Sequence, residues 1–222
     1  MSELKQLMPE RIPSFGAVFY DLVPAKIFLP HYRMVAREVS AVAKGAILDI
    51  GTGPGILPLE IARLLPATRI IGIDVSEKMI AIARKHNRRR YGLGNVEFRV
   101  MNANALAFED CSLDMVISTG SFHHWKDAAK IFDQIYRCLK AGCEAWIYDG
   151  LAEATDQDID AGIARIGGFF PSRGLARRIL RIHGFSQKEY DTVVKNTVAG
   201  TRFKTCLFEK CGIMMRMRLR KA

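Results

Sequence analysis

Residues 47–55 have the sequence Ile47-Leu48-Asp49-Ile50-Gly51-Thr52-Gly53-Pro54-Gly55. A short apolar run ends in a loop with three glycines, and the pattern of residues 56–65 then predicts a helix. Glycine lets the backbone adopt positive φ and lets a ligand approach with no Cβ in the way. The helix that follows offers unpaired N–H groups at its start. A strand, a glycine loop and a helix are typical of a nucleotide site, although a tight turn without a ligand has the same pattern.

The spacing of the glycines separates two classes of site. A dinucleotide fingerprint has the spacing G-x-G-x-x-G, in which the last small residue packs the helix on the strand. Here the spacing is G-x-G-x-G, Ile56 takes the place of that small residue, and an acid lies two residues before the first glycine. Both features resemble the first motif of class I S-adenosylmethionine (SAM) methyltransferases. The resemblance implies that the loop wraps the amino-acid part of SAM, with contacts from Asp49, Gly51, Thr52, Gly53 and Gly55.

Apolar segments alternate with amphipathic helical segments from residue 46 to residue 148. This alternation predicts parallel strands joined by right-handed crossovers. A hairpin of residues 202–209 and 213–220 follows, and it resembles the end of the methyltransferase sheet, whose last strand is antiparallel. We therefore predict an α/β fold with a doubly wound, mostly parallel seven-stranded sheet, helices on both faces and an antiparallel last strand, which is the Rossmann-like methyltransferase fold.

At 222 residues the chain is long enough for one domain with a good core. We predict a single SAM-methyltransferase domain of four parts. Residues 1–45 form an N-terminal helical cover with a helix from about residue 29, and residues 46–150 form the SAM-binding core. Residues 151–185 form a lid-like insertion, and residues 186–222 form a closing helix and a β-hairpin.

Ligands of open α/β sheets bind beyond the carboxyl ends of the strands. The second strand ends at Asp74, whose carboxylate can accept hydrogen bonds from both hydroxyls of a ribose. Residues 101–114 resemble a family stretch in which an aspartate accepts from the adenine amino group. Here the aligned residue is Asn102, with Asn104 as an alternative. The other cofactor contacts that we predict are Val75, Met79, Ala103, Ser118 and, from the N-terminal cover, Tyr20. Tyr32 of the same cover is a further candidate pocket residue, and the alternative is that both tyrosines only pack.

The fourth strand runs into residues 118–125, Ser-Thr-Gly-Ser-Phe-His-His-Trp. This segment and residues 135–142 resemble the methyltransferase subgroup that includes ubiquinone and menaquinone biosynthesis enzymes. The segment lacks the Asn/Asp-Pro-Pro-aromatic tetrad of base-amine methylation and the Pro-Cys nucleophile of cytosine C5 methylation. We predict His123 or His124 as a general base, with Asp149 at the end of the fifth strand as a second candidate. The alternative is that all three residues have structural roles.

The net charge of +10 is unevenly placed. Residues 165–222 hold 14 of the 33 Lys and Arg residues but only 3 of the 23 Asp and Glu residues. This basic quarter could attract an anionic substrate, nucleic acid or a membrane surface, or it could be a solvated surface. Within it, one helical stripe predicts the face of a helix that packs on the body, and Arg177, Arg178 and Arg181 surround the stripe. The stripe consists of Leu175, Ile179 and Ile182.

The composition gives no sign of a metal site, because the five cysteines include no C-x-x-C pair. We expect Cys138 and Cys143 to be buried. No apolar run approaches the roughly 20 residues of a membrane span, and residues 1–13 lack the apolar stretch of a signal peptide. We therefore expect a cytoplasmic protein.

Three functions remain open from the sequence. The first is a SAM-dependent methyltransferase for a small-molecule acceptor, which the motifs at successive strand ends favour. The second keeps SAM but takes RNA or protein as the substrate, as the basic quarter would allow. The third is a SAM-binding module without catalysis.

Overall fold

The computed structural model describes residues 24–165 and 172–222. Within these residues the chain forms a seven-stranded sheet in the order β3-β2-β1-β4-β5-β7-β6. The strands are β1 (Ile47–Ile50), β2 (Ile70–Asp74), β3 (Val96–Val100), β4 (Leu113–Thr119), β5 (Leu139–Gly150), β6 (Leu207–Cys211) and β7 (Met214–Arg220). The helices are α1 (Pro24–Val42), α2 (Ile56–Leu64), α3 (Glu77–His86), α4 (Ala128–Cys138), α5 (Asp156–Arg165), α6 (Arg173–His183) and α7, which consists of Gln187–Glu189, the π-helical turn Tyr190–Val194 and Lys195–Ala199.

The pairing of the strands confirms the predicted fold. Strand β1 is parallel to both β2 and β4, and the pairs β2–β3 and β4–β5 are also parallel. Strand β7 is antiparallel to β5 and to β6. The order of the strands reverses between β1 and β4, so the crevice beyond their carboxyl ends is the expected place for a ligand.

Helices cover both faces of the sheet because the central strand is buried on both sides. All four residues of β1 are buried, and successive side chains of a strand point to opposite faces. Ile47 packs with Val35 of α1 and Ile61 of α2. On the other face, Leu48 packs in a cluster that includes Phe132 of α4. Position 49 therefore points toward the face that α1 and α2 cover.

Two predicted elements have different bounds in the structure. Helix α1 is a single helix that runs through Pro30, whereas the pattern predicted a helix from about residue 29. Strand β6 begins at Leu207 rather than at residue 202. The chain turns before it: the Thr201 hydroxyl donates to Val198 O at 2.6 Å, and Lys204 has a φ of +65°. Residues in this turn cannot form the hydrogen-bond ladder between β6 and β7.

Strand β7 has the alternating pattern that the sequence predicts. Met215, Met217 and Leu219 are buried, and the arginines between them point to the opposite face. There Arg216 forms ion pairs of 2.7 Å with Glu38 of α1 and with Glu209 of β6. Part of the basic quarter is therefore neutralised within the fold, and Arg216 links α1 to the edge of the sheet.

The insertion after β5 is attached to the end of that strand through Phe185. The backbone N–H of Phe185 donates to Gly150 O at 3.0 Å, and Ala152 N–H donates to Phe185 O at 2.9 Å. Helix α6 packs through Leu180, which lies in a cluster with Ile159 of α5. The predicted stripe is wrong at its first residue, because Leu175 is 41% exposed. The contact with α5 sets the rotation of the helix, which periodicity alone does not define.

The five cysteines are free, with Cys138 buried and Cys143 half-buried. In the described part of the chain, no set of three or more His, Cys, Asp or Glu side chains is arranged to hold a metal ion. No helix in residues 24–165 and 172–222 combines the length and apolar character that crossing a membrane requires.

Replacement of Gly184 by alanine should destabilise the protein. The added Cβ would lie 2.6 Å from Leu180 O and 2.8 Å from Gly150 O, and backbone atoms cannot move away at little cost. We expect Gly184→Ala to lower the free energy of unfolding by about 1–3 kcal/mol, the usual range for overpacking. Urea unfolding followed by circular dichroism measures this change.

Gly174→Ala is the matched control. Its Cβ would have Ser172 Oγ as its nearest neighbour at 3.9 Å, and the position lies in the first turn of α6. Alanine there should leave stability unchanged or raise it by up to about 1 kcal/mol. Equal losses in the two variants would contradict the assignment of a tight contact to Gly184.

Candidate functional site

The three glycines of the loop after β1 have left-handed backbone conformations, with φ values of +71°, +52° and +78°. They differ in what a Cβ would meet. At Gly51 it would lie 2.4 Å from the Ser121 side chain, and at Gly55 it would lie 2.7 Å from Ala83 and Phe98. At Gly53 it would meet nothing within 4 Å. Gly55 therefore allows α2, α3 and β3 to pack, whereas Gly53 leaves open space for a ligand.

Asp74, at the end of β2, holds the loop in place. Its carboxylate accepts hydrogen bonds from the backbone N–H groups of Gly53 and Ser76, each at 2.9 Å. Burial raises the pKa of Asp74, although these N–H donors and that of Val75 offset part of the effect. Two neighbouring strand ends are thus joined through one carboxylate, and Asp74 retains lone pairs that can accept from a ligand.

Asp49 is a second carboxylate in the same region, and it is only 2% exposed. Burial and, to a smaller extent, the charge of Asp74 raise its pKa to about 7, against the opposing effect of the Thr52 hydroxyl. Two carboxylates with raised pKa values next to an open loop are a mark of a functional site.

A cleft of about 1050 Å³, measured to its open mouth, lies beyond the carboxyl ends of β1, β2 and β4. It brings together most of the residues that the sequence assigned to the cofactor, together with one predicted base. These lining residues are Asp49, Gly51, Thr52, Gly53, Asp74, Val75, Met79, Asn102, Ala103 and His124.

Four predicted site residues lie outside the lining of this cleft. Gly55 packs against α3 and β3, as described above. Ser118 is fully buried, and its hydroxyl lies 2.7 Å from Ser121 Oγ, which does line the cleft. His123 and Asp149 form a pair next to the cleft. The prediction for Tyr20 lies outside the described residues.

Several lining residues were not predicted from the sequence. Thr119 ends β4, and Gly120 and Ser121 follow it. Their small polar character after an apolar strand was an available signal. Trp125 and Ile131 also line the cleft, but nothing in their spacing separates them from core residues. Pro54, Leu57, Ser76 and Met101 also belong to this set. Two residues that the sequence did suggest also line the cleft: Tyr32 of α1, a candidate pocket residue, and Asn104, the alternative to Asn102.

Asn102 has a local role that the alignment of motifs did not reveal. Its Oδ1 accepts from Asn104 N at 2.9 Å and from Asn104 Nδ2 at 3.1 Å, so it caps the short turn Ala103–Ala105. Both lone pairs of that oxygen are therefore engaged. In the described part of the chain, Asn104 Oδ1 is buried and has no hydrogen-bond partner. Asn104 is thus the better placed acceptor for an amino group, and Asn102 shapes the turn that presents it.

The imidazole of His123 is held by Asp149. The backbone N–H of His123 donates to Asp149 Oδ2 at 2.9 Å, and Nδ1 lies 3.0 Å from both carboxylate oxygens. Burial lowers the pKa of His123, but the charge and the hydrogen bond of Asp149 raise it more, and the net shift is upward. The His124 ring stacks beside it at a centroid distance of 4.1 Å. The cleft therefore has a carboxylate–imidazole pair at one side.

The described lining suits a ligand that is cationic and rich in hydrogen-bond donors. It holds Asp49 and Asp74 but no lysine or arginine. Thr119 Oγ1 and Asn104 Oδ1 are buried polar atoms without a partner among residues 24–165 and 172–222. The open face of Gly53 leaves room beside them. SAM has an ammonium group, a sulfonium, ribose hydroxyls and an adenine amino group, so these residues fit it.

Comparison with known proteins supports the same assignment. Residues 47–142 match the family model described as a methyltransferase domain. A ubiquinone/menaquinone biosynthesis C-methyltransferase from Hydrogenovibrio crunogenus is 28% identical over 153 residues, which are 64% of this chain and 60% of that protein. A demethylmenaquinone methyltransferase from Chlorobaculum parvum is 30% identical over 150 residues, 61% of this chain and 59% of the relative. The chain thus spans about three fifths of the length of these relatives.

Solved structures share the fold. A structure described as a SAM-dependent methyltransferase from Methanococcus maripaludis matches with a TM-score of 0.78 and 20% identity, over 100% of this chain and 95% of that one. A SAM-dependent methyltransferase from Aquifex aeolicus matches with a TM-score of 0.68 and 18% identity, over 94% of this chain and 98% of that one. These matches confirm the predicted fold, and residues 47–142 are similar to a methyltransferase domain.

Two alanine substitutions in the glycine loop should separate folding from binding. Both Gly53→Ala and Gly55→Ala put a side chain into a left-handed conformation, at a cost of roughly 1–2 kcal/mol. Only Gly55→Ala also creates contacts of 2.7 Å with Ala83 and Phe98. We therefore expect Gly55→Ala to be the less stable variant in thermal unfolding. Gly53→Ala should fold but bind SAM at least tenfold more weakly in calorimetry, because its Cβ enters the cleft.

The two variants serve as controls for each other. If Gly53→Ala binds SAM as tightly as the wild type, the loop does not contact the cofactor at that position. If Gly55→Ala is as stable as Gly53→Ala, the third glycine has no special packing role.

Proposed function

We propose that the protein is a SAM-dependent methyltransferase that transfers a methyl group to a small-molecule acceptor. The observation that carries the proposal is the cleft at the strand ends, where Asp74 accepts the N–H of Gly53 in a G-x-G-x-G loop. The match of residues 47–142 to a methyltransferase domain supports it. The activity of the whole chain is our inference, because the alignment spans about three fifths of the relatives.

We propose a contact in the lining for each part of SAM. The glycine loop would take the amino-acid part, and Asp74 would accept from the ribose hydroxyls. Met79 lies in the lining one turn into α3 and would lie against the adenine ring. Ala103 N–H and Asn104 Oδ1 would meet the edge of the adenine. Bound SAM would supply an electrophilic methyl group on its sulfonium, and the residues of this chain would align an acceptor with it.

The acceptor that we propose is a small molecule with a ring. Tyr32 and Trp125 give the cleft aromatic walls. The relatives are named as C-methyltransferases of ubiquinone and menaquinone biosynthesis and as demethylmenaquinone methyltransferases. The described lining contains no lysine or arginine, so it does not favour an anionic acceptor. We further propose that residues 1–45 and 151–185 cover the acceptor around the core of residues 46–150, with residues 186–222 closing the sheet.

RNA or protein as the substrate is less well supported. That alternative rested on the basic quarter, but Arg216 pairs with Glu38 of α1, Arg218 pairs with Glu144 of β5, and Lys210 pairs with Asp158 at 2.7 Å. A nucleic-acid function would require binding that falls steeply with salt concentration. A non-catalytic SAM-binding module would bind SAM without methyl transfer, and it would leave the His123–Asp149 pair without a function.

We propose the His123–Asp149 pair as the general base for the acceptor. Asp149 holds the Nδ1 side of the His123 ring, and in our proposal Nε2 is the atom that takes the proton. The acceptor atom would attack the methyl carbon as the bond from that carbon to sulfur breaks, and its proton would pass to His123. His124, which lines the cleft beside it, would contact the acceptor. A base of this kind contributes roughly 10²–10⁴-fold in rate.

Calorimetry with SAM tests the proposal directly. We expect the wild type to bind SAM, and Asp74→Asn to bind it about 10- to 100-fold more weakly. The reason is the loss of charge-assisted hydrogen bonds, each worth about 1.5–3 kcal/mol. Glu97→Gln, which changes a carboxylate on neighbouring β3 outside the cleft lining, is the matched control and should bind as the wild type does. Failure of the wild type to bind millimolar SAM would refute the proposed function.

The dependence of the rate on pH tests the base. His123 must be neutral to accept a proton, so kcat/KM should rise with pH through the pKa of His123. Because Asp149 raises this pKa, the rise should lie above the ordinary histidine value of about 6.5. In Asp149→Asn the raising interactions are lost and burial still lowers the pKa, so the rise should move to lower pH. Steady-state rates between pH 5 and 9 measure this shift.

His124→Gln is the comparison for this experiment. We expect His124→Gln to change KM but to keep the rise of kcat/KM with pH. His123→Gln should abolish this rise and lower kcat. If only His124→Gln abolished the rise of kcat/KM with pH, the base would be His124.

A further inference from the structure

Asp49 combines two properties that are rarely found together in a carboxylate. It lies in the central strand, 2% exposed, and it lines the cleft. Its neighbours in the ladder are Gly72 of β2 and Ile117 of β4. On the face toward which it points, α2 presents apolar Leu57. The carboxylate is therefore shielded from bulk water on every side except the cleft.

The surroundings of Asp49 do little to stabilise a negative charge. Asp74 has two backbone N–H donors, from Gly53 and Ser76. Across the described ranges, no backbone N–H donates to the carboxylate of Asp49, and the cleft lining holds no lysine or arginine to pair with it. The charged neighbour that acts on it is Asp74, which has the same sign. A buried carboxylate without a cation favours its protonated form.

Other titratable groups on this face already have contacts of their own. Helix α1 and strand β5 contribute His31 and Tyr148, whose rings pack edge to face at 5.8 Å. The Tyr148 hydroxyl donates to Glu38 at 2.9 Å, and Arg216 pairs with the same glutamate. Burial accordingly raises the pKa of Asp49 to about 7, with the Asp74 charge adding to the shift and the Thr52 hydroxyl opposing it.

We propose that Asp49 carries a proton in the cofactor-free protein and releases it when a cationic cofactor enters the cleft. This inference rests on the proposed function, since SAM brings the sulfonium and ammonium charges. A cation beside Asp49 stabilises its carboxylate anion, so the bound state holds fewer protons than the free state. Reciprocity then requires that the affinity for the cofactor rise with pH across the range in which Asp49 titrates.

Cofactor binding would therefore be coupled to the protonation state of Asp49. In the free protein, a proton on Asp49 relieves the repulsion between the two carboxylates of the cleft. In the bound protein, the deprotonated residue adds attraction for a cationic ligand. The demethylated product, S-adenosylhomocysteine, lacks the sulfonium charge, so Asp49 holds it less strongly than SAM and favours its exchange for SAM.

Calorimetric titration of the whole protein with SAM tests the proposal. The measurement is made at pH 6.5 in buffers with different enthalpies of ionisation, because the slope of the heat against that enthalpy gives the protons released. The α-amino group of SAM stays charged at this pH, given an ordinary value near 7.7–8.0. With a pKa of about 7 for Asp49, we expect release of roughly half a proton or more per SAM. From pH 7.5 to pH 6 the affinity should fall, by up to about tenfold.

Asp49→Asn mimics the protonated residue and should release no proton, and its affinity should not change between pH 6 and 7.5. Asp191→Asn, at an exposed position outside the cleft lining, should behave as the wild type. If Asp49→Asn does not fold, infrared difference spectra of the wild type decide: loss of a protonated-carboxyl band on addition of SAM supports the proposal. SAM binding without proton release in the wild type would overturn the inference while leaving the proposed function intact. Absence of SAM binding would refute both.

Discussion

The hydrogen bond from the Gly53 N–H to the Asp74 carboxylate is the contact on which the cofactor cleft depends. It requires a left-handed backbone at position 53, and it ties the loop after β1 to the end of β2. A carboxylate has about four acceptor positions, and two are used by Gly53 and Ser76. The same group that shapes the loop can therefore also receive a ligand. Burial raises the pKa of Asp74, which indicates that this geometry is maintained against a desolvation cost.

The side of the cleft next to His123 is built by contacts between β4 and β5. The loop after β4 is anchored by Phe122, whose ring packs on Phe132 and Phe185 at 5.8 Å and 5.2 Å. Because Phe185 also bonds to the end of β5, the insertion and the β4 loop share one aromatic cluster. The hydrogen bonds from His123 to Asp149 add a polar link between the same two strand ends. Substitutions in the insertion would therefore affect the His123–Asp149 pair, which is the proposed base.

Local pattern together with the family resemblance predicted the fold but only part of the site. Strand alternation, the glycine loop and Asp74 are short-range signals, and the structure brings them together as expected. The role of Gly55 depends on Ala83 and Phe98, which are distant in sequence. The engagement of the Asn102 oxygen depends on the turn that follows it. In both cases three-dimensional packing, rather than residue type, decides the role.

The sign of the charge in the cleft is opposite to that of the chain. A net charge of +10 suggests an anionic partner, but Arg216 and Arg218 of β7 pair with Glu38, Glu144 and Glu209. The described lining of the cleft carries Asp49 and Asp74 instead. At short range in a partly buried site, nearby charges outweigh the summed field, because distant exposed charges are screened by salt within about 10 Å. The local carboxylates, and not the overall charge, therefore set which ligand the site prefers, and they favour a cation.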